Sequence, residues 1–155
     1  MRNAFLDPLL RGSESTHALL NQRTGAVVAD RVLTAFDSRS RRAGLLAYAS
    51  LPDGAAMVIA PTSAIHTFFM RFPIDVAFVT RDGRVVKTCS WVKPWRVAAA
   101  LRAFAVVELP AGTLARCETV PGDRLVVQSA SSDREKTKLP SRRGLDSAAA
   151  NPESP

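Results

Sequence analysis

The chain is poor in the residues that most often carry recognisable chemistry. Its 155 residues include two cysteines, two histidines and one tyrosine, and only 6% are aromatic. Cys89 and Cys117 cannot close a tetrahedral zinc site alone, and His17 and His66 stand at no recognisable ligand spacing. No metal and no cofactor is therefore expected. Phosphate-cradling glycine loops, serine nucleophile elbows and paired-cysteine zinc motifs are all absent. No stretch approaches the roughly 20 apolar residues that a membrane helix requires, so no membrane span is expected. The opening MRNAFLDPLLRGSESTH lacks a long apolar run and is interrupted by Asp7 and Pro8, so no secretory signal is read there. The expected location is cytoplasmic, with both cysteines as free, half-buried thiols.

What is present suits one small domain. Apolar residues make up 46% of the chain, enough for a core. The net charge of +7 and pI near 10.4 favour anionic partners in principle: phosphates, acidic lipid or nucleic acid. The arginines are scattered, however, and the densest group is only Arg39, Arg41 and Arg42.

Residues 1–17 lack periodicity and read as an extended, mobile arm. Residues 18–128 read as a β-rich domain. ALLNQ is a short apolar run, and the β-branched VVADRVLTAF reads as strand-like. Asp37 and Ser38 can cap a short helix that Gly44 would end. LPDG is turn chemistry ahead of a buried strand, MVIAP. IHTFFM alternates, placing His66, Phe68 and Met70 on one face, until Pro73 breaks the strand. Met70, Phe68, Phe69 and Phe72 read most simply as core. IDVAFVT follows, with Ile74, Val76 and Phe78 inward, then the hairpin turn RDG and its return strand RVVKTCSW. VKPWRVAAALRA is ambiguous between loop and helix. AFAVVEL, a short helix in PAGTLARCE and a strand in PGDRLVVQ complete the domain. Residues 129–155 are rich in Ser, Pro, Ala and charge, and read as a disordered polar tail. Its five basic and four acidic residues do not make a nucleic-acid-binding arm, and a nucleic-acid partner is not expected. The fold expected is mainly β: a compact antiparallel sandwich or partly open barrel with two or three short helices.

The blocks IHTFFMRFPIDVAFVTRDGRVV, VVELPAGT and PGDRLVV, with an upstream Arg41 and Gly44-Leu45, resemble domain-of-unknown-function family 192 over roughly residues 18–128. The resemblance implies a compact, mostly antiparallel β domain with a few short helices, and implies no chemistry. Many family members carry a Trp-Met-Lys-Asn-Thr run before a longer loop. Here the run is Phe69-Met70-Arg71-Phe72 with a shorter loop, so no role of that Lys and Asn transfers to this chain.

The candidate residues are polar groups interrupting apolar strands. Asp75 lies between Ile74 and Val76, where a carboxylate needs partners. Arg71, His66 or turn N–H groups could supply them, either as a satisfied structural pair or as a ligand pocket in which Asp75 orients His66. Glu108, between Val107 and Leu109, could accept N–H bonds from the AGT turn, pair with Arg41, or serve as a second carboxylate for acid–base work. Trp91 and Trp95, flanking Lys93 and near Arg96, form an aromatic–basic loop that could stack on a ring or simply cover a core edge. Three functional readings follow, in this order. The first is a module binding a small or anionic ligand, or a partner, through a pocket of His66, Arg71, Asp75, Glu108 and Arg41. The second is a hydrolase-like enzyme using His66 with Asp75 or Glu108. The third is adsorption to an anionic polymer or surface through net positive charge.

Overall fold

A computed structural model of the chain describes residues 4–11, 16–37, 39, 40, 45 and 49–129. The elements are α1 (Asp7–Arg11), β1 (His17–Asn21), β2 (Val27–Ala29), β3 (Arg31–Ala35), β4 (Ala55–Ile59), β5 (Ala64–His66), β6 (Ile74–Val79), β7 (Val85–Val92), β8 (Val97–Ala99), β9 (Ala105–Pro110), α2 (Thr113–Arg116) and β10 (Leu125–Ser129). The fold is mainly β, as expected. A five-stranded sheet in the order β3-β4-β9-β6-β7 packs with a three-stranded sheet, β10-β1-β2, and a two-stranded ribbon, β5-β8. Among the described residues no sheet closes into a barrel, and the arrangement is sandwich-like.

The five-stranded sheet is covered on both faces, which is why β4 and β6 are buried at every position and read as continuous apolar runs. Side chains still alternate across the sheet. Ala77, Val79, Val107 and Leu109 join Leu19, Val28 and Leu125 in one core cluster, toward the three-stranded sheet. Ile74, Val76, Phe78 and Val106 join Leu45, Leu51, Ile65 and Met70 in a second cluster on the opposite face. Each fully buried Phe, Leu or Val contributes roughly 1.5–3 kcal/mol.

One expectation is refined and two are corrected. The strand-like run VVADRVLTAF is two strands. The Asp30 and Arg31 N–H groups both donate to the Gly54 carbonyl, and the chain there leaves one sheet for the other. β3 also pairs parallel with β4, against an otherwise antiparallel pattern. The opening residues are not a free arm: Phe5 and Leu6 are buried in the first cluster, and the Phe5 N–H donates to Arg81 O. The helix expected after Asp37 falls largely outside the described residues, although Asp37 Oδ1 accepts from the N–H groups of Arg39 and Ser40 as a cap does. Ser129 ends β10, and the rest of the polar tail lies outside the described residues.

The RDG turn forms as read. Gly83 has φ +83°, and a Cβ there would stand 2.2 Å from the Leu125 carbonyl oxygen. The same glycine exchanges backbone contacts with β10 through Leu125 N–H to Gly83 O. Only a residue without a side chain fits this approach.

Candidate functional site

Asp75 and Glu108 sit on neighbouring central strands but point to opposite faces. β6 and β9 pair antiparallel with Asp75 opposite Leu109 and Val76 opposite Glu108. Directly opposed residues share a face, so Asp75 looks toward the first cluster and Glu108 toward the second. The two carboxyls therefore do not face a common cleft.

Asp75 is fully buried and fully occupied by backbone. Oδ1 accepts from the Trp91 N–H and Oδ2 from the Leu114 N–H, each at 2.9 Å. The first bond holds a bulge in β7, where the pairing slips between Ile74 and Val76. The second satisfies an N–H in the first turn of α2. Asp75 therefore ties the edge strand and the helix to the sheet. Of the partners the sequence suggested, backbone N–H groups are the ones used. Neither Arg71 nor His66 bonds to it.

Glu108 is 3% exposed, and its Oε2 has no hydrogen-bond partner among the described residues. The AGT turn, expected to supply N–H groups to it, leaves that oxygen unpaired, and the N–H of Leu114, the residue just after the turn, donates to Asp75. Arg41, the other expected partner, lies outside the described residues. Burial pushes the Glu108 carboxyl from its ordinary 4.5 up to about 7. Its cross-strand neighbours are Met57 on β4 and Val76 on β6, and Val76 in turn opposes Cys89 on β7. A row Met57–Glu108–Val76–Cys89 thus crosses four strands on one face. Cys89 lies two strand spacings, roughly 10 Å, from Glu108. It opens into a groove of ≈ 380 Å³ that is also lined by Lys87, Trp91, Lys93, Arg96 and Val97.

His66 is exposed at the end of β5, its ring stacked on Phe68 with centroids 5.0 Å apart. It makes no hydrogen bond to Asp75 or Glu108, so the acid–base pairs considered from the sequence are not assembled. Arg71 is exposed. Both residues nevertheless adjoin the second cluster, because Ile65 and Met70, their chain neighbours, are buried in it with the row containing Glu108.

The alternation read across IHTFFM ends at His66, where the chain leaves the ribbon. Thr67 organises this departure. Fully buried, it donates from Oγ1 to Lys93 O at 2.8 Å and accepts at Oγ1 from the Arg96 N–H at 2.9 Å. Its own N–H donates to Arg96 O, and its carbonyl accepts from the N–H groups of Trp95 and Met70. Two loops are thereby fastened together. Met70 turns inward as expected, but Phe69 turns outward, 71% exposed, and meets Trp95 edge-on at 4.7 Å. Trp95 also contacts Phe68 at 5.7 Å. Three of the four non-glycine residues with positive φ among those described are exposed aromatics: Phe69 (65°), Trp91 (53°) and Trp95 (63°). Each such conformation costs on the order of 1–3 kcal/mol and persists only where its surroundings impose it. Sequence reasoning assigned no part to Thr67 and placed Phe69 inside. The polar residue amid alternating apolar ones was the available signal.

A second polar knot is structural. Asp123 accepts from Arg23 Nε at 2.6 Å, from Asn21 Nδ2 at 2.8 Å and from the Val120 N–H at 3.0 Å. The Arg23 hydrogen bond, with help from Asn21, holds its carboxyl at about 2.

With the geometry in place, comparison with known proteins adds the lineage. The model of family DUF192, described as "Uncharacterized ACR", matches residues 19–127. The chain belongs to this family. Among solved structures, a protein of unknown function from Novosphingobium aromaticivorans DSM 12444 is 25% identical. That match has a TM-score of 0.61 over 70% of this chain and 81% of that one. A protein from Sinorhizobium meliloti 1021, provisionally described as a transcription regulator, is 24% identical. Its TM-score is 0.62 over 74% of this chain and 96% of that one, a likeness of fold alone. No curated protein matches the chain significantly. The DUF192 assignment agrees with the resemblance carried by the central sequence blocks and establishes a family of unknown function. Among the described residues no helix is long and apolar enough to cross a membrane, and no cluster of three or more His, Cys, Asp or Glu could hold a metal ion.

Proposed function

We propose that this protein is a non-catalytic binding module that holds a small ligand against the sheet face carrying Glu108. The observation behind the reading is the carboxyl itself: buried, without a partner for Oε2 among the described residues, and set between its cross-strand neighbours Met57 and Val76. Native folds rarely leave such a group unpaired, since it costs about 1–3 kcal/mol or more when charged. A ligand N–H or O–H donor would satisfy the oxygen, and an amine cation would also favour its ionisation. The ligand class is therefore a small, mainly apolar molecule with one hydrogen-bond-donating or cationic head. Arg71 and His66 enter as rim residues and Asp75 as a support of the frame. An anionic head would be repelled by ionised Glu108 and would find its cations at Lys87, Lys93 and Arg96 in the groove instead. A cytoplasmic, reducing location belongs to the same reading, since Cys89 and Cys117 are both free thiols.

The test is a thermal-shift screen of wild type and Glu108→Gln against amines, alcohols, amides and small anions. Native-state binding raises apparent stability by RT ln(1 + [L]/Kd). Compounds that stabilise the wild type and lose their effect in Glu108→Gln support the reading. If every active compound shifts both proteins equally, or none shifts the wild type, the reading fails.

A further inference from the structure

The outer face of the β5-β8 ribbon is apolar and uncovered. Ile65, Ala98 and Ala100 turn inward to the second cluster, leaving Ala64, His66, Val97 and Ala99 outward, paired Ala64 with Ala99 and His66 with Val97. Phe69 and Trp95 flank one end. At the other stands Leu101, 100% exposed on a turn fixed by Ala100 N–H to Ser63 O and Ala103 N–H to Ala100 O. Five of the eight large exposed hydrophobics among the described residues belong to this region: Phe69, Trp91, Trp95, Val97 and Leu101. A soluble surface seldom concentrates them so.

Charge is concentrated in the same stretch. Residues 61–103 hold seven basic and two acidic side chains. Of the two acids, Asp75 is buried and Asp82 is paired with Arg124 at 2.7 Å. Arg71, Lys87, Lys93, Arg96 and Arg102 are all exposed. Aliphatic knobs, amphipathic indoles and flanking cations together match a membrane interface, where apolar groups enter the acyl boundary and basic groups meet anionic headgroups. A second copy fits poorly, because pairing this face with itself would set five cations against five. Single-stranded nucleic acid fits poorly too. Val97 and Leu101 offer it no ring to stack on, and Phe68, Phe69 and Trp95 already pack against one another.

We infer that the outer face of the β5-β8 ribbon, with Trp95, Phe69 and Leu101 as its apolar contacts and Lys93, Arg96 and Arg102 among its cations, docks the protein on an anionic lipid surface. This docking is independent of the ligand reading for Glu108, which lies beneath the opposite side of the ribbon's packing.

The full chain is sedimented with vesicles of phosphatidylcholine alone and of phosphatidylcholine mixed with phosphatidylglycerol, across a salt series. Partition onto the mixed vesicles is expected, weakening with salt. Lys93→Gln and Arg102→Gln should each lower it about fivefold. Leu101→Ser, which removes a side chain that touches nothing in the fold, should lower it roughly tenfold at every salt concentration. Equal partition onto both vesicles, or none onto the mixed ones at low salt, overturns the inference. So does a Leu101→Ser variant that binds like wild type, which would mean mere electrostatic adsorption. Two further results would reassign the face: a single-stranded oligonucleotide competing with the vesicles and depending on Trp95 but not Leu101, or a dimer abolished by Leu101→Ser.

Discussion

Glu108 makes the stability of this protein depend on pH in a sense opposite to ordinary acid denaturation. Its carboxyl titrates near 4.5 when the chain is unfolded and at about 7 in the fold, because burial disfavours the charged form. A raised carboxyl leaves the fold at full strength below 4.5 and weakens it as pH rises through about 7, after which the loss is constant. The separation, at about 1.4 kcal/mol per pH unit, amounts to roughly 3 kcal/mol at pH 8. Replacing Glu108 by Gln removes the ionisation, and replacing it by Leu also removes the unpaired oxygen. Both variants should therefore be more stable than wild type at pH 8, with Leu above Gln; toward pH 4.5 Gln should converge on wild type, while Leu keeps only the pH-independent lead from losing the unpaired oxygen. For a domain of this size the gain corresponds to about 10 °C in Tm. Urea unfolding at a series of pH values between 4.5 and 8.5, followed by circular dichroism, measures this directly. A variant that tracks the wild type in parallel across the series would refute the reasoning. It would mean that Glu108 is charged and satisfied in the fold. A stabilising substitution at this position would also mark Glu108 as retained for something other than stability.

Other perturbations test the frame around that residue. Asp75→Asn leaves one acceptor for two N–H groups, those of Trp91 and Leu114; it should cost about 3 kcal/mol in urea unfolding and alter tryptophan fluorescence as the bulge loosens. Thr67→Val removes the hydroxyl that joins Lys93 O to Arg96 N–H; about 2 kcal/mol should be lost, with faster hydrogen exchange at Arg96 and little change in the five-stranded sheet. Asp123, held at about 2, supplies stability that is present above 3.8 and is lost as pH falls through about 2. Asp123→Asn should therefore be less stable than wild type at pH 7, and the gap should close toward pH 2.

The sequence was most legible where local rules suffice. Turn chemistry located Gly54 and Gly83, alternation placed Ile74, Val76 and Phe78 on one face, and the PAGT segment began a short helix as its composition suggested. The central blocks also carried the family likeness that the family model bears out. What local rules cannot see is which sheet a strand joins. VVADRVLTAF looks continuous because its β-branched residues suit any pleated surface, yet Asp30 turns toward Gly54 and divides it between two sheets. Phe69 looks like core for the same reason, and only the buried Thr67 bonds turn it outward. Asp75 and Glu108 show the limit most clearly. In the chain both are carboxylates amid apolar strands, and nothing nearby distinguishes them. The antiparallel register of β6 against β9 sends them to opposite faces. There one meets two backbone N–H groups, and the other meets only apolar side chains among the residues described. Residue types determined that polar groups would be buried in this sheet. Pairing of strands distant along the chain decided which of them would be satisfied, because partners at that range are set by register and not by spacing.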